Sequence, residues 1–339
     1  MIFVCLPSIC VLDVHGKDAA RIANNLCTAD VVKLETGQGR EAFVTDIRGK
    51  TVGHVCVFRA DDGLRMIGAG PAVTAIGDAP PLPNQATAIA AHLDRYTLRE
   101  QSVPEDKSEL LVGIVIDAQT ALRCETTLAE IAKEAEPTDL RSVSFTLGQN
   151  SQSPFSGRAY QVPWWQGGAL LLIIEPGVER GIEPGALQAA KDYLTSIGAN
   201  EASMAEFHRL RIENRFPWFG VDLDASHLPQ EADRDQQAIS FTKGCYLGQE
   251  TIARLDAMGQ VQKKLVQWRL KCPSIPASGT ELKDGDRVVG RLTSVALQDT
   301  PNEYLALGFA QRTHFDLGSK AKGLSEDGSS IDAIVGISQ

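Results

Sequence analysis

The chain has 339 residues, with 33 Lys plus Arg against 43 Asp plus Glu for a formal net charge of −10, and 43% of its residues are hydrophobic and 22% charged. That length fits roughly two to three domains, and the apolar share excludes wholesale disorder. An acidic chain has no global attraction for nucleic acid or an anionic membrane, so an anionic ligand needs a local group of bases.

The opening stretch Ile2 to Leu12 is largely apolar, but it lacks a basic leading region and a small-residue cleavage site, and Pro7 interrupts it. It reads as a buried strand rather than a signal peptide. Asp18 to Leu26 follows as a short helix with Ala19, Ile22, Ala23 and Leu26 on one face. Strand-like runs come at Ala42 to Asp46 and Thr51 to Arg59, joined by a turn at Arg48-Gly49-Lys50. The Pro-rich stretch Asp78 to Asn84 is a loop before a helix at Ala86 to Tyr96. Further on, the pattern predicts a strand at Leu110 to Ile116, a helix at Thr120 to Glu134, a buried strand at Ala169 to Glu175 and a helix at Leu187 to Ile197 closed by Gly198.

Ser203 and Glu206 form a capping-box pattern that starts a helix over about Met204 to Asn214, ended by Pro217. Another helix is expected at Gln249 to Leu255. After about residue 262 the helical period disappears, and strand-like runs at Leu265 to Leu270, Arg287 to Leu297 and Tyr304 to Ala310 surround a hairpin signal at Asp284-Gly285. The fold class is therefore α+β, a mixed body followed by a small all-β module.

No apolar run approaches the roughly 20 residues of a membrane helix. The seven cysteines are odd in number and scattered, which favours a reducing compartment over a disulfide scaffold. A soluble cytoplasmic protein is expected, with neither membrane nor nucleic acid as partner and no metal site built from a local motif. Arg48-Gly49-Lys50-Thr51 ends like a phosphate loop but has Val44 where its first glycine belongs, and Gly68-Ala69-Gly70 runs into Pro71 where a dinucleotide fingerprint would start a helix.

Two stretches carry chemistry. On the helix after Ser203, Glu213 lies in the last turn, where the macrodipole disfavours an anion by roughly 0.3–1 kcal/mol; Arg209 stands four residues before it. Spacing alone favours an ordinary surface ion pair, and the functional alternative is a carboxylate held for a ligand's N–H groups. The second stretch is Lys243-Gly244-Cys245-Tyr246-Leu247-Gly248-Gln249-Glu250, where two glycines bracket a cation, a thiol and an aromatic. A thiol beside a lysine and near a helix start would be activated, whereas a small buried hydrophobe is the ordinary fate of a cysteine.

These residues, with LRIENRFPWFGVDL and LPQEA before them and IARLDAMGQVQKKL after, resemble the YgfZ family, relatives of the glycine-cleavage T-protein (aminomethyltransferase). Gly16-Lys17-Asp18-Ala19, Cys27 to Val31, Val289 to Ser294 and Leu305 to Gly308 extend the resemblance over nearly the whole chain. It implies two intertwined α+β lobes around a central tetrahydrofolate cavity, over residues 1–260, and a C-terminal β-barrel over residues 261–339. It also implies that Glu213 contacts the pterin of tetrahydrofolate or a derivative, that Lys243, Gly244, Cys245 and Tyr246 face the cavity with Arg254 following, and that Cys245 is the functional thiol. The implied role is folate-dependent assembly or repair of iron–sulfur proteins, with client or assembly proteins as partners.

One departure separates the branches. Aminomethyltransferases resemble Asn-Ala-Gly followed by a catalytic aspartate here, whereas this chain has Gly68-Ala69-Gly70, with Asp78 as the nearest downstream carboxylate. The expectation is thus an accessory protein. An aminomethyltransferase is the alternative, and a thiol redox protein using Cys245 alone is a third reading.

Overall fold

The structure is a computed structural model that describes residues 1–70, 84–124, 126–133, 138–149, 154–174, 185–259 and 261–336. In chain order the body comprises β1 (Ile2–Leu6), β2 (Ile9–His15), α1 (Ala19–Leu26), β3 (Gln38–Thr45), β4 (Thr51–Ala60), β5 (Gly63–Ala69), α2 (Gln85–Tyr96), β6 (Val103–Asp106), β7 (Val112–Asp117), α3 (Ala118–Ala121), α4 (Thr126–Lys133), β8 (Leu140–Leu147), β9 (Phe155–Val162), β10 (Ala169–Ile174), α5 (Ala186–Ser196) and β11 (Asn200–Glu201). Then come α6 (Met204–Glu213), a 3-10 turn Pro229–Ala232, α7 (Asp235–Ala238) and α8 (Gln249–Met258). The chain closes with β12 (Lys263–Lys271), β13 (Glu281–Asp284), β14 (Arg287–Leu297), β15 (Glu303–Gln311), β16 (Lys320–Leu324) and β17 (Ser330–Val335).

The body strands form one sheet in the order β11-β1-β7-β10-β9-β8-β3-β4-β5-β2-β6. Its halves meet through a short contact in which Gln38 and Gly39 face Arg141 and Leu140. The lobes are intertwined because the chain begins in the second half: β1 lies between β11 and β7, and only after Pro7-Ser8 does β2 enter the first half beside β5 and β6. Proline removes a ladder donor there, so the predicted single opening strand is two strands.

The two halves pack face to face, with Val11, Phe58 and Ile67 from one and Val115, Tyr160 and Leu171 from the other in one buried cluster. α1 and α2 cover the outer face of the first half, where Leu12, Val44 and Met66 meet Ile22 and Ile89. Helices α3 to α5 cover the outer face of the second, where Ile114 and Leu172 meet Leu128 and Leu194. Strands covered on both faces need apolar residues at every position rather than at alternate ones, which explains why β10 reads as an unbroken apolar run.

β12 to β17 close into a barrel in the order β12-β15-β14-β13-β16-β17 around Trp268, Leu282, Leu292 and Ile331. The barrel docks on the body through buried charge. Arg211 of α6, 1% exposed, donates to Asp222 at 2.7 Å and to Ser294 of β14 at 2.7 Å, and Ser294 donates to the other oxygen of Asp222 at 2.6 Å. Burial, with Arg211 beside it, pushes His208 down to about 4; the neutral ring accepts from Arg211 Nε at Nδ1 over 2.8 Å. No helix among the described residues is long and apolar enough to cross a membrane.

Candidate functional site

The Lys243–Gln249 loop is pinned from both sides. Lys243 is 7% exposed, and its ammonium donates to the carbonyls of Asn24, Cys27 and Ala29 at 2.7, 2.9 and 2.7 Å. These carbonyls lie at and just beyond the C-terminal end of α1, where orphan acceptors and the negative end of the dipole attract a cation. All three Nζ protons are engaged, so none remains for a ligand. Burial lowers the Lys243 pKa from its usual range. The Tyr246 ring packs 5.1 Å from the same ammonium and lies in an apolar cluster with Phe43, Leu223 and Ile252.

On the other side, Thr45 donates to Leu247 O at 2.7 Å, and Gly248 has a φ of +82° at the start of α8. A Cβ at Gly248 would stand 2.5 Å from Asp46 O and 2.6 Å from Gly49 Cα. Glycine is required there by both conformation and space. Gly244 is different: a Cβ there would meet nothing within 4 Å. Between these anchors Cys245 is exposed, while Cys10, Cys27, Cys56, Cys124 and Cys272 are buried and Cys5 half-buried. Burial pushes Cys5 up to about 11 and raises Cys10, Cys27, Cys56 and Cys272. Those thiols stay protonated at neutral pH and are poor nucleophiles. Arg254, on α8, is exposed and has no carboxylate partner among the described residues.

Glu213 ends α6, as the capping pattern predicts, and Ser203 accepts from Glu206 N at 3.2 Å. Its carboxylate is paired with Arg209, which also binds Glu206 through two bonds of 2.6 and 2.8 Å. Glu206 therefore serves Arg209 rather than closing the capping box. The Glu213 carbonyl accepts from Gln267 of the barrel at 3.2 Å. Glu213 thus belongs to the seam between α6 and the barrel, whereas Lys243 to Tyr246 belong to the end of α1.

Immediately past Glu213 lies a cavity of about 360 Å³, lined among others by Gln161, Trp165, Asn214, Arg215, Arg234 and Gln237. That volume suits a small organic ligand. Two of its walls carry buried polar atoms without partners: Trp165 Nε1, a donor, and Gln161 Oε1, an acceptor. Both side chains are at least 96% buried, being 3% and 4% exposed. An unpaired buried polar group costs roughly 1–3 kcal/mol; neither atom is accessible from the cavity as it stands, so a ligand there would meet this donor and acceptor once the side chains turn. Asn214 is held by its bond to Pro163 O at 2.8 Å.

Arg234 reaches from this cavity into the core. It donates to both oxygens of Glu41, at 2.8 Å through Nε and at closer range through Nη2, and His54 Nε2 lies 2.8 Å from Glu41 Oε1. The His54 ring is stacked between Phe43 and Phe216, with centroids at 4.4 and 5.2 Å. Burial alone would raise the Glu41 pKa, but Arg234's charge and hydrogen bonds, with those of His54, bring it down to about 2.

The sequence is 25% identical to the tRNA-modifying protein YgfZ of Sodalis glossinidius over 288 residues, 84% of this chain and 76% of that protein. It is 22% identical over 318 residues to the aminomethyltransferase of Thermoanaerobacter pseudethanolicus, with 91% and 78% of the two chains covered. A chloroplastic protein of Arabidopsis thaliana described as a transferase is 30% identical over 309 residues, 90% of this chain; the chain spans 64% of that protein. In structure, the glycine cleavage system aminomethyltransferase T of Bartonella henselae superposes with a TM-score of 0.71 at 16% identity, covering 98% of this chain and 84% of the other. No family model matches the chain.

The chain is similar to YgfZ over most of its length and has the T-protein fold.

In this chain the Gly68 position has no room for the asparagine of the aminomethyltransferase pattern. A Cβ there would stand 2.6 Å from Gln85 Nε2 and 2.7 Å from His54 O. Gln85 fills the space, donating to Ala69 O at 2.8 Å and accepting from His54 N at 3.0 Å. Asp78 lies outside the described residues. Trp165 and Gln161 were not reached from the sequence, because no strand was expected over 155–162. The available signal was the pair Trp164-Trp165 before Gln166-Gly167-Gly168, two large aromatics leading into a turn.

Proposed function

We propose that this protein binds tetrahydrofolate or a derivative and supports assembly or repair of iron–sulfur proteins, with Cys245 as the thiol offered to a client. The observation that carries the folate reading is the cavity beside Glu213 with an unpartnered donor and acceptor on the residues of its wall. A reduced pterin has a flat face suited to Trp165 and an edge of adjacent donors and acceptors suited to Trp165 Nε1 and Gln161 Oε1. Bound tetrahydrofolate would supply a nitrogen pair able to carry a one-carbon unit. Glu213 reaches such an edge only by exchanging Arg209 for the ligand, and Arg215, which lines the cavity and holds Asp233 only at 3.9 Å, is the cation on hand for a folate carboxylate. The thiol reading rests on the exposure of Cys245 and on the anchoring of the loop by Lys243, Tyr246 and Gly248.

An accessory role is supported over aminomethyl transfer by the Gln85-filled space at Gly68. The name of the Sodalis relative attaches that protein to tRNA modification. With a net charge of −10, this chain would serve such chemistry through a protein client rather than by gripping tRNA.

Titration with tetrahydrofolate should quench tryptophan fluorescence saturably. Gln161→Leu should weaken binding roughly tenfold, the worth of one ordinary hydrogen bond, and Glu213→Ala reports whether the Arg209 exchange occurs. Absence of saturable quenching in the wild type sinks the folate reading. The client role is tested separately by rescue of an iron–sulfur enzyme in cells lacking their own family member; rescue by Cys245→Ala as good as wild type would detach the thiol from function.

A further inference from the structure

On the opposite face of β9 from Gln161, a second and smaller pocket of about 130 Å³ opens at the junction of the two half-sheets, with Arg59, Arg65, Arg158, Ser142 and Tyr160 in its wall. The three arginines come from three strands, β4, β5 and β9, and from both lobes. Two carboxylates also line it, Asp13 and Asp62, and each is already engaged. Asp13 takes Arg65 in a two-bond fork at 2.6 and 2.8 Å, and Asp62 takes His15 at 2.8 Å. Arg65 is further fixed by donating to the Tyr160 hydroxyl at 2.9 Å.

Arg59 and Arg158 are left without a carboxylate among the described residues. Arg158 makes one long bond, from Nε to Ser142 Oγ at 3.4 Å, which leaves its two terminal nitrogens for another partner. Both side chains are half-buried. Guanidinium groups gathered in a partly dry cleft repel one another unless an anion sits between them, and their fork geometry matches carboxylate and phosphate oxygens. At about 130 Å³ the space equals that of about four waters at ~30 Å³ each, well under the roughly 300 Å³ at which whole-ligand sites begin. It suits one oxyanion group.

We propose that this pocket is an oxyanion site, binding a phosphate monoester or a carboxylate carried by a small ligand, with Arg59 and Arg158 as the binding cations and Arg65, fixed by Asp13 and Tyr160, as their rigid neighbour. The site is separate from the folate cavity and stands whether or not folate binds. Because it joins the two lobes, its occupant ties them together and raises the temperature of unfolding.

The test is thermal unfolding of the full chain in chloride, inorganic phosphate and glutarate at constant ionic strength. Phosphate or glutarate should raise the wild-type midpoint by roughly 2–4 °C at ten times its dissociation constant, and chloride should not. Phosphate alone assigns the phosphate ester as the source, and glutarate alone assigns the carboxylate. Arg59→Gln and Arg158→Gln should each abolish the rise. In chloride both should unfold at or above the wild-type temperature, because each relieves repulsion between cations. The proposal is overturned if neither anion exceeds chloride, if both variants keep the full rise, or if the variants unfold well below wild type in chloride, which would make the arginines structural.

Discussion

Lys243 and Cys245 are two residues apart and have opposite fates. Removing the ammonium leaves three carbonyls of the α1 end buried without a donor, so Lys243→Met should cost roughly 2–4 kcal/mol of stability. Cys245 is exposed, and Cys245→Ala should change stability by no more than about 0.5 kcal/mol. Chemical denaturation of both variants checks the contrast; equal losses would show that the loop is not anchored through Lys243. Sequence reading found the loop but not this division, since the partners of Lys243 lie 214 to 219 residues earlier in the chain. The same holds for Glu213. Its pairing with Arg209 was legible as i, i+4 spacing, whereas the cavity beginning at Asn214 depends on β9, far off in sequence.

Among the elements, α8 shows how a glycine fixes a junction. Its start at Gly248 presses on the β3–β4 turn, with Gly49 at φ +77° on the facing side. Gly248→Ala combines a left-handed alanine with a clash against backbone that cannot swing away, and should destabilise by roughly 2–4 kcal/mol. Gly244→Ala, facing open space, should be close to neutral; equal effects in a melting experiment would contradict the packing described. The helix expected over Thr120 to Glu134 is two pieces, α3 and α4, with a turn between them. Asp117 caps α3 by accepting from Thr120 N at 2.8 Å, a local bond that competes with a longer helix. No strand was expected at β8, β9, β16 or β17; in β17, Ser330–Val335, burial alternates, but the apolar Ile334 takes an exposed position, which blurs the period-two pattern in the residues.

Across the whole molecule, two buried ion pairs among the described residues join parts of the chain that do not share a sheet: Arg211 of α6 with Asp222 of the segment that follows it, tied to the barrel through Ser294, and Glu41 with Arg234 between β3 and the segment before α7. The second makes stability depend on acid. Glu41 has a folded pKa of about 2 against an ordinary 4.5, so the unfolded chain takes up the proton first. The stabilisation is whole above about pH 4.5 and is lost as pH falls towards about 2, an effect on the order of 3 kcal/mol. Acid titration of the unfolding free energy should show that loss in wild type and lack it in the double variant Glu41→Gln, Arg234→Met, which removes both charges together. Parallel acid curves for the two proteins would mean that Glu41 is not held ionised by Arg234.

The net charge of −10 posed the problem of where an anion could bind. Composition, periodicity and the glycine-bracketed loop determined by themselves that the chain is α+β with an all-β end, that its strands are mostly buried, and that Cys245 stands in an unusual loop. These are local properties, written in spacing and turn chemistry. Only the tertiary structure decided which charges are spent and which are open. Lys243 is consumed by backbone carbonyls, Arg234 by Glu41 and Arg65 by Asp13, while Arg59 and Arg158 reach one pocket from different lobes with no carboxylate partner among the described residues. Whether a buried charge is satisfied depends on partners brought within a few ångströms by folding, and sequence separation carries no information about that distance.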